Sequence, residues 1–357
     1  MAKNLYKDMH YIRLESHENA LIGQRHKTKL FDNHIGVLNL NPRNFILFDR
    51  QGNYLLNIDA QGKEPGNLSS TYDFTILDDK IYFPNHINKS ISIYTTDGKY
   101  QKTIPADHSY MGLSRTENHI VASSKNLSEK FHQAPYNVAV YDADMNRILH
   151  FGNVPLHLEN INLYDVVYNS HHKNETIYHQ ILSDTIFRIK DKGEISYNLI
   201  EHSPPLIIDK RDKKMTFDLQ NGLFDKYLHN TKATYPVRNL LDSNNYLLLF
   251  YLYDFKHHIT AFAKSSGESL IFYFDSDDAR NHIFNPSMDF TALDNTMIIE
   301  KNIEDVRRVI SALPEDYLSD TNIDTILDDP DMDENANPVL LTYRLNEEYL
   351  DTWFEEK

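Results

Sequence analysis

The chain has 357 residues, 41% hydrophobic and 12% aromatic, with 23 Tyr and 18 Phe against a single Trp, ample for a packed core of half-buried strands. Its 36 Lys and Arg against 52 Asp and Glu leave a net charge of −16, which repels phosphate backbones and anionic lipid and argues against nucleic acid as a partner. Cysteine is absent, so disulfides, thiolate metal sites and cysteine nucleophiles are excluded together.

Residues Met1 to His10 are polar and carry no apolar signal core. That leaves either a cytosolic protein or an export signal lying upstream. No apolar run of about 18 residues occurs anywhere, so no transmembrane segment is expected. Met9 to Glu15 (MHYIRLE) alternates apolar and polar residues, the signature of a half-buried strand.

Two long segments then repeat. His34 to Ile58 reads HIGVLNLNPRNFILFDRQGNYLLNI, and Lys80 to Ile104 reads KIYFPNHINKSISIYTTDGKYQKTI. Without a gap, Ile35 meets Ile81, Asn39 meets Asn85, Phe48 meets Tyr94, Gly52 meets Gly98, and Ile58 meets Ile104. Each copy is strand, polar turn, strand, glycine-bearing turn, strand, and the two glycines sit where a hairpin calls for positive φ.

Weaker copies follow at His119 to Phe151, where Tyr141 takes the place of Tyr94, and at Glu175 to Ile200 with Gly193. Another spans Asn245 to Phe274 with Gly267, and a last one joins Thr296 to Glu300 with Pro338 to Leu345. Six units of this length predict an all-β fold, a six-bladed β-propeller with four-stranded blades. Length alone suggests about two domains. A repeat array instead makes residues 1–357 a single propeller domain, with insertions at 201–235 and 301–337. In the second insertion Ile303, Val306 and Ile310 follow helical spacing and Asn302 suits a cap, so a small helix is expected there. The last unit lacks an outer strand, and Met9 to Glu15 can supply it by pairing with Pro338 to Leu345, closing the ring through the chain ends.

The segments YIRLESHENALIG (Tyr11 to Gly23), ILFDRQGNYLLNIDAQGKEPGN (Ile46 to Asn67), ISIYTTDGKY (Ile91 to Tyr100) and NPVLLTYRL (Asn337 to Leu345) span nearly the whole chain. In these the chain resembles the six-bladed propellers of Bacteroidetes cell envelopes, relatives of the NHL-type propellers. The family's segment after the first blade reads Gly-x-Gly-Pro-Gly-Glu. Here it is Gly62-Lys63-Glu64-Pro65-Gly66-Asn67, which keeps the turn-forming Pro-Gly and loses one Gly and the Glu. The resemblance implies the fold and a place in the periplasm or on the cell surface, and it implies little chemistry.

No GxSxG elbow, HExxH, P-loop or GxGxxG is present. The pairs His171-His172 and His257-His258 point to opposite faces if they lie on strands and cannot then chelate one ion, and His171-His172 is expected in a loop, where the geometry is freer but no convergent partner ligands are visible. Asp329, Asp331 and Asp333 alternate as in the first half of a calcium loop. However, Pro330 interrupts them, the sixth position holds Glu334 instead of Gly, and the twelfth holds Leu340 instead of Glu, so a solvated acidic turn is preferred over a calcium site. No other cofactor is indicated.

The first strand of a propeller blade lines the central channel. Eight residues before the start of each second strand stand Lys27, Asp73, Gly112, Arg238 and Asp289, with Asp165 the counterpart in the fourth unit. A channel ring of Lys27, Asp73, Asp165, Arg238 and Asp289 is therefore expected. It serves either as an ion-pair network that holds the inner strands or as a polar ligand site. Three functions remain open: a non-catalytic binding or scaffold propeller taking a small molecule, glycan, peptide or protein, a metal-dependent hydrolase or lactonase using channel carboxylates, and a purely structural module.

Overall fold

The computed structural model describes residues 2–59, 62, 64–124, 136–153, 169–172, 175–179, 185–191, 195–199, 239–253, 256–274, 290–293, 295–311, 323–327, 329 and 336–355. After a four-residue helix α1 (Ala2–Leu5) comes β1 (Tyr6–Arg13), the strand expected from the alternation at Met9 to Glu15. Four antiparallel strands form the first blade: β2 (His26–Leu30), β3 (His34–Leu40), β4 (Arg43–Asp49) and β5 (Tyr54–Ile58). The second holds β6 (Thr75–Leu77), β7 (Lys80–Asn85), β8 (Ser90–Thr95) and β9 (Tyr100–Pro105), and the third β10 (Gly112–Arg115), β11 (Ile120–Ser123), β12 (Tyr136–Tyr141) and β13 (Arg147–Asn153).

The fourth blade is β14 (Asn169–His172), β15 (Glu175–His179), β16 (Thr185–Ile189) and β17 (Ile195–Leu199). The fifth is β18 (Asn239–Asp242), β19 (Tyr246–Tyr253), β20 (Lys256–Ala263) and β21 (Ser269–Phe274). The sixth runs β22 (Phe290–Leu293), β23 (Thr296–Lys301) and β24 (Val339–Leu345), and is completed by β1. Tyr6 pairs with Leu345 and Arg13 with Val339, so the chain ends close one blade, as expected.

The repeat is carried by register. Ile35 faces Phe48, Ile81 faces Tyr94, Ile120 faces Tyr141 and Met297 faces Tyr343 across the second and third strands of their blades. In the first three blades a one-residue bulge falls at the same place. Leu55, Gln101 and Ile148 are the extra residues, which brings Tyr54, Tyr100 and Arg147 opposite Phe48, Tyr94 and Tyr141. Gly52 and Gly98 adopt φ of +89° and +84°, the left-handed backbone that the turn requires. At Gly52 a second reason acts, because an added Cβ would sit 1.9 Å from the Arg13 carbonyl oxygen.

The chain divides into two compact units. One comprises residues 1–58, 239–250 and 256–357, and the other 59–238 and 251–255. In the first unit, a core of Tyr246, Leu248, Phe250, Ile259, Met297, Ile299, Leu341 and Tyr343 is covered by two helices. Helix α2 (Ile303–Ser311) buries Ile303, Val306 and Ile310, and Asn302 caps it by accepting the Asp305 N–H at 2.7 Å, as the spacing predicts. Helix α3 (Glu347–Glu355) was not expected from the sequence. It buries Leu350, stacks Phe354 on Tyr246 and sets Trp353 edge-on to Phe272. In the second unit, Tyr82, Ile91, Ile93, Leu113, Ile120, Ala122 and Tyr141 form one cluster, and Val121, Val138, Val140, Tyr178 and Ile189 another.

Candidate functional site

The inner strands place the expected ring residues by a simple rule. In the first three blades, the residue three positions before the partner of the second-strand isoleucine is the ring position. Leu30 pairs with Ile35, Ile76 with Ile81 and Arg115 with Ile120, so Lys27, Asp73 and Gly112 share one structural place. In the fifth blade the corresponding pair is Asp242 with Leu247, which sets Asn239, one residue beyond Arg238, at that place. Arg238, Asp165 and Asp289 lie outside the described residues.

Asp73 is fully buried. Its Oδ1 accepts the N–H of Phe74 at 2.9 Å, and its Oδ2 accepts the N–H of Leu113 at 3.0 Å, on the inner strand of the next blade. Both oxygens are thus bonded to main chain, which meets the requirement that a buried carboxylate be satisfied. Asn239 behaves alike, its Oδ1 accepting the Leu240 N–H at 2.9 Å. The short polar side chain at this place holds the start of the inner strand. Lys27 lies half-buried on β2.

Beside the ring position in the first blade lies a cluster that sequence reasoning missed. His26 and Thr28 both reach Glu300 at the end of β23 in the last blade. The Nε2 atom of His26 lies against Oε1 of Glu300, Thr28 Oγ1 donates to Oε2 at 2.7 Å, and Nδ1 of His26 lies 2.5 Å from the Gly23 carbonyl oxygen. Burial favours the neutral ring, but the hydrogen bond and charge of Glu300, with the Gly23 carbonyl, outweigh it and raise the His26 pKa.

A second missed cluster joins the third blade to the segment that leads into it. Asp107 accepts hydrogen bonds from the hydroxyls of Tyr110 at 2.8 Å, Tyr136 at 2.9 Å and Tyr141 at 2.5 Å, and pairs with Arg147. Arg147 also donates to the Tyr136 hydroxyl at 2.8 Å and lies over its ring, on which His150 packs as well. Burial raises the Asp107 pKa, and the three phenols and the guanidinium outweigh it, so the carboxyl titrates below its ordinary range. Burial and the neighbouring Tyr141 push the Tyr110 phenol up.

Four donors saturate the Asp107 carboxylate, and the cluster they form fastens the blade. The second blade does the same job more simply. Tyr94 donates to the Gly66 carbonyl at 2.8 Å, and a Cβ at Gly66 would meet Tyr100 at 2.6 Å. At Gly66 this contact and a φ of +90° both call for glycine.

Of the acidic loop, Asp329 is described. Arg13 approaches it at 3.5 Å and the Tyr11 hydroxyl donates to it at 3.5 Å. Asp331 and Asp333 lie outside the described residues. Among the described residues no group of three His, Asp or Glu is placed to hold a metal ion. His171-His172 and His257-His258 both fall on strands, the former where a loop was expected.

Six four-stranded antiparallel blades, the last closed by the N-terminal strand, define a six-bladed β-propeller. Within that class, the chain belongs to the family described as Domain of unknown function (DUF4934), whose model matches residues 2–344. Two solved structures share the fold. A Bacteroides fragilis NCTC 9343 protein named as exported has 12% identity, covers 96% of each chain and superposes with a TM-score of 0.67. A DUF4221 family member from Bacteroides vulgatus has 9% identity, covers 95% of this chain and 96% of its own, and gives 0.51. A comparison with curated proteins finds no match. No helix among the described residues is long and apolar enough to cross a membrane.

Proposed function

We propose that this propeller is a non-catalytic binding or scaffold protein of the bacterial cell envelope, kin to the NHL-type propellers, which engages a glycan, peptide or protein in the periplasm or at the cell surface. The observation that carries the reading is Asp73. Both of its oxygens are bonded to the main chain of two blades, so at its place a channel carboxylate serves architecture rather than chemistry. The name of the Bacteroides fragilis relative of like fold supports the compartment.

On this reading Lys27 and Asp73 stand at one equivalent place on the inner strands of their blades, Asn239 takes that place in the fifth where Arg238 was expected, and the carboxylates of Asp165 and Asp289 serve the same architectural end. A metal-dependent hydrolase or lactonase would need several of these carboxylates free to converge on one ion.

The test has two arms. Purified protein is titrated calorimetrically with a panel of glycans and peptides, and assayed on ester and lactone substrates with and without added Ca²⁺ or Mn²⁺. Saturable binding without turnover is expected. Metal-dependent turnover abolished by Asp289→Ala, with stability intact, would establish the hydrolase instead. Fractionation of cells expressing the native gene tests the compartment, and recovery from the cytosol without a processed form would refute it.

A further inference from the structure

The His26 ring is held by two acceptors. Its Nδ1 faces the Gly23 carbonyl oxygen at 2.5 Å and its Nε2 faces a Glu300 carboxylate oxygen. A carbonyl oxygen never donates, and an ionised carboxylate only accepts. A neutral imidazole has one N–H, so one of these contacts would set two lone pairs against each other. The arrangement needs one further proton, and the other carboxylate oxygen already has its donor in Thr28. The three side chains join the inner strand of the first blade to the second strand of the last blade. They do so at the junction of the first blade with the sixth, the blade that β1 completes.

We infer that His26 and Glu300 form a proton-dependent clasp between the first blade and the last, which holds while the pair keeps both imidazole protons and loosens when one is lost. Strand β22, which packs on β2, reads Phe-Thr-Ala-Leu and carries no titratable group. Asn39, opposite His26 on β3, is uncharged. Lys27 and Lys301 follow His26 and Glu300 directly, and strand alternation turns them to the other faces of their sheets. Asp289, next to β22 in the chain, lies outside the described residues. A His whose pKa is raised on folding contributes stability that is whole below its unfolded value of about 6.5 and fades as pH rises through the folded value.

The clasp is tested on the full chain labelled with ¹⁵N-histidine, followed by NMR from pH 5 to 10, with His26 assigned by the signal missing in His26→Gln. The midpoint for loss of the second ring proton is expected above about 6.5 and to fall in Glu300→Gln. A midpoint at or below about 6.5, or one that Glu300→Gln leaves in place, would overturn the inference. Thermal melts give a second measure. The Tm difference between wild type and Glu300→Gln should be largest at pH 6 and shrink by pH 9, and a difference constant with pH would refute the clasp. If His26→Gln does not fold, Thr28→Val retains the ring and, by removing a donor that weakens the pull of Glu300 on the proton, should raise the same midpoint.

Discussion

Tyr6 offers a test of the closing strand in which two substitutions at one position should act in opposite directions. Its ring is 97% buried (3% exposed), packed 5.8 Å from that of Tyr343. Its hydroxyl is buried with no hydrogen-bond partner among the described residues, and burial alone drives its pKa upward. Truncating a buried aromatic leaves a cavity and costs about 3–5 kcal/mol, so Tyr6→Ala should remove a large part of a total stability of about 5–15 kcal/mol. Tyr6→Phe keeps the ring and deletes only the unsatisfied hydroxyl, whose desolvation costs about 1–3 kcal/mol, and should leave the protein as stable or about 1 kcal/mol more so. Urea denaturation followed by tryptophan fluorescence measures both, because Trp353 packs within the same core. The midpoint should fall for Ala and hold or rise for Phe at an unchanged slope. A Phe variant weakened by more than about 1 kcal/mol would show that the hydroxyl is satisfied. An Ala variant of wild-type midpoint would show that β1 does not close the blade.

Other expectations follow from the same bonds. Asp73→Ala strands the buried N–H groups of Phe74 and Leu113 and should cost about 3 kcal/mol, measured by denaturant midpoint, while Asp73→Asn keeps an acceptor and should cost less. Asp107 titrates below its ordinary value, so its contribution is whole above the unfolded pKa and lost as pH falls through the folded one. Melts from pH 5 to 2 should therefore fall more steeply for wild type than for Asp107→Asn. Gly52→Ala meets both a left-handed φ and the Arg13 carbonyl, and should lower stability by at least about 2 kcal/mol in a thermal melt.

The blades were legible because hairpin chemistry is local. Gly52 and Gly98 announce their turns, and a 46-residue shift superposes Ile35 on Ile81 and Phe48 on Tyr94, as the strand register bears out. The closing strand was legible for the same reason, since MHYIRLE alternates and the last unit lacks a partner. The fasteners were not legible, because most of their bonds join residues of different elements whose approach only the fold creates. His26 and Glu300 are 274 positions apart, and nothing near either residue names the other. In the fifth blade the ring position slips by one residue to Asn239, because the inner pairing runs Asp242 to Leu247 and not from Tyr246. Helix α3 was missed although Leu350, Trp353 and Phe354 follow helical spacing, since a nine-residue amphipathic segment at a chain end is a weak signal.

Pairing β1 with β24 has a consequence for the order of biosynthesis. Strand β1 leaves the ribosome before every blade strand it will close over, and finds its partner only after all the strands between it and β24 have been made. Through that interval Tyr6 and Met9, buried in the finished blade, have no sheet to cover them, while earlier blades can pair strand by strand as they emerge. Until then β1 is an apolar segment in waiting. A ribosome stalled before Val339 would carry five complete sets of blade strands and a sixth blade unable to form.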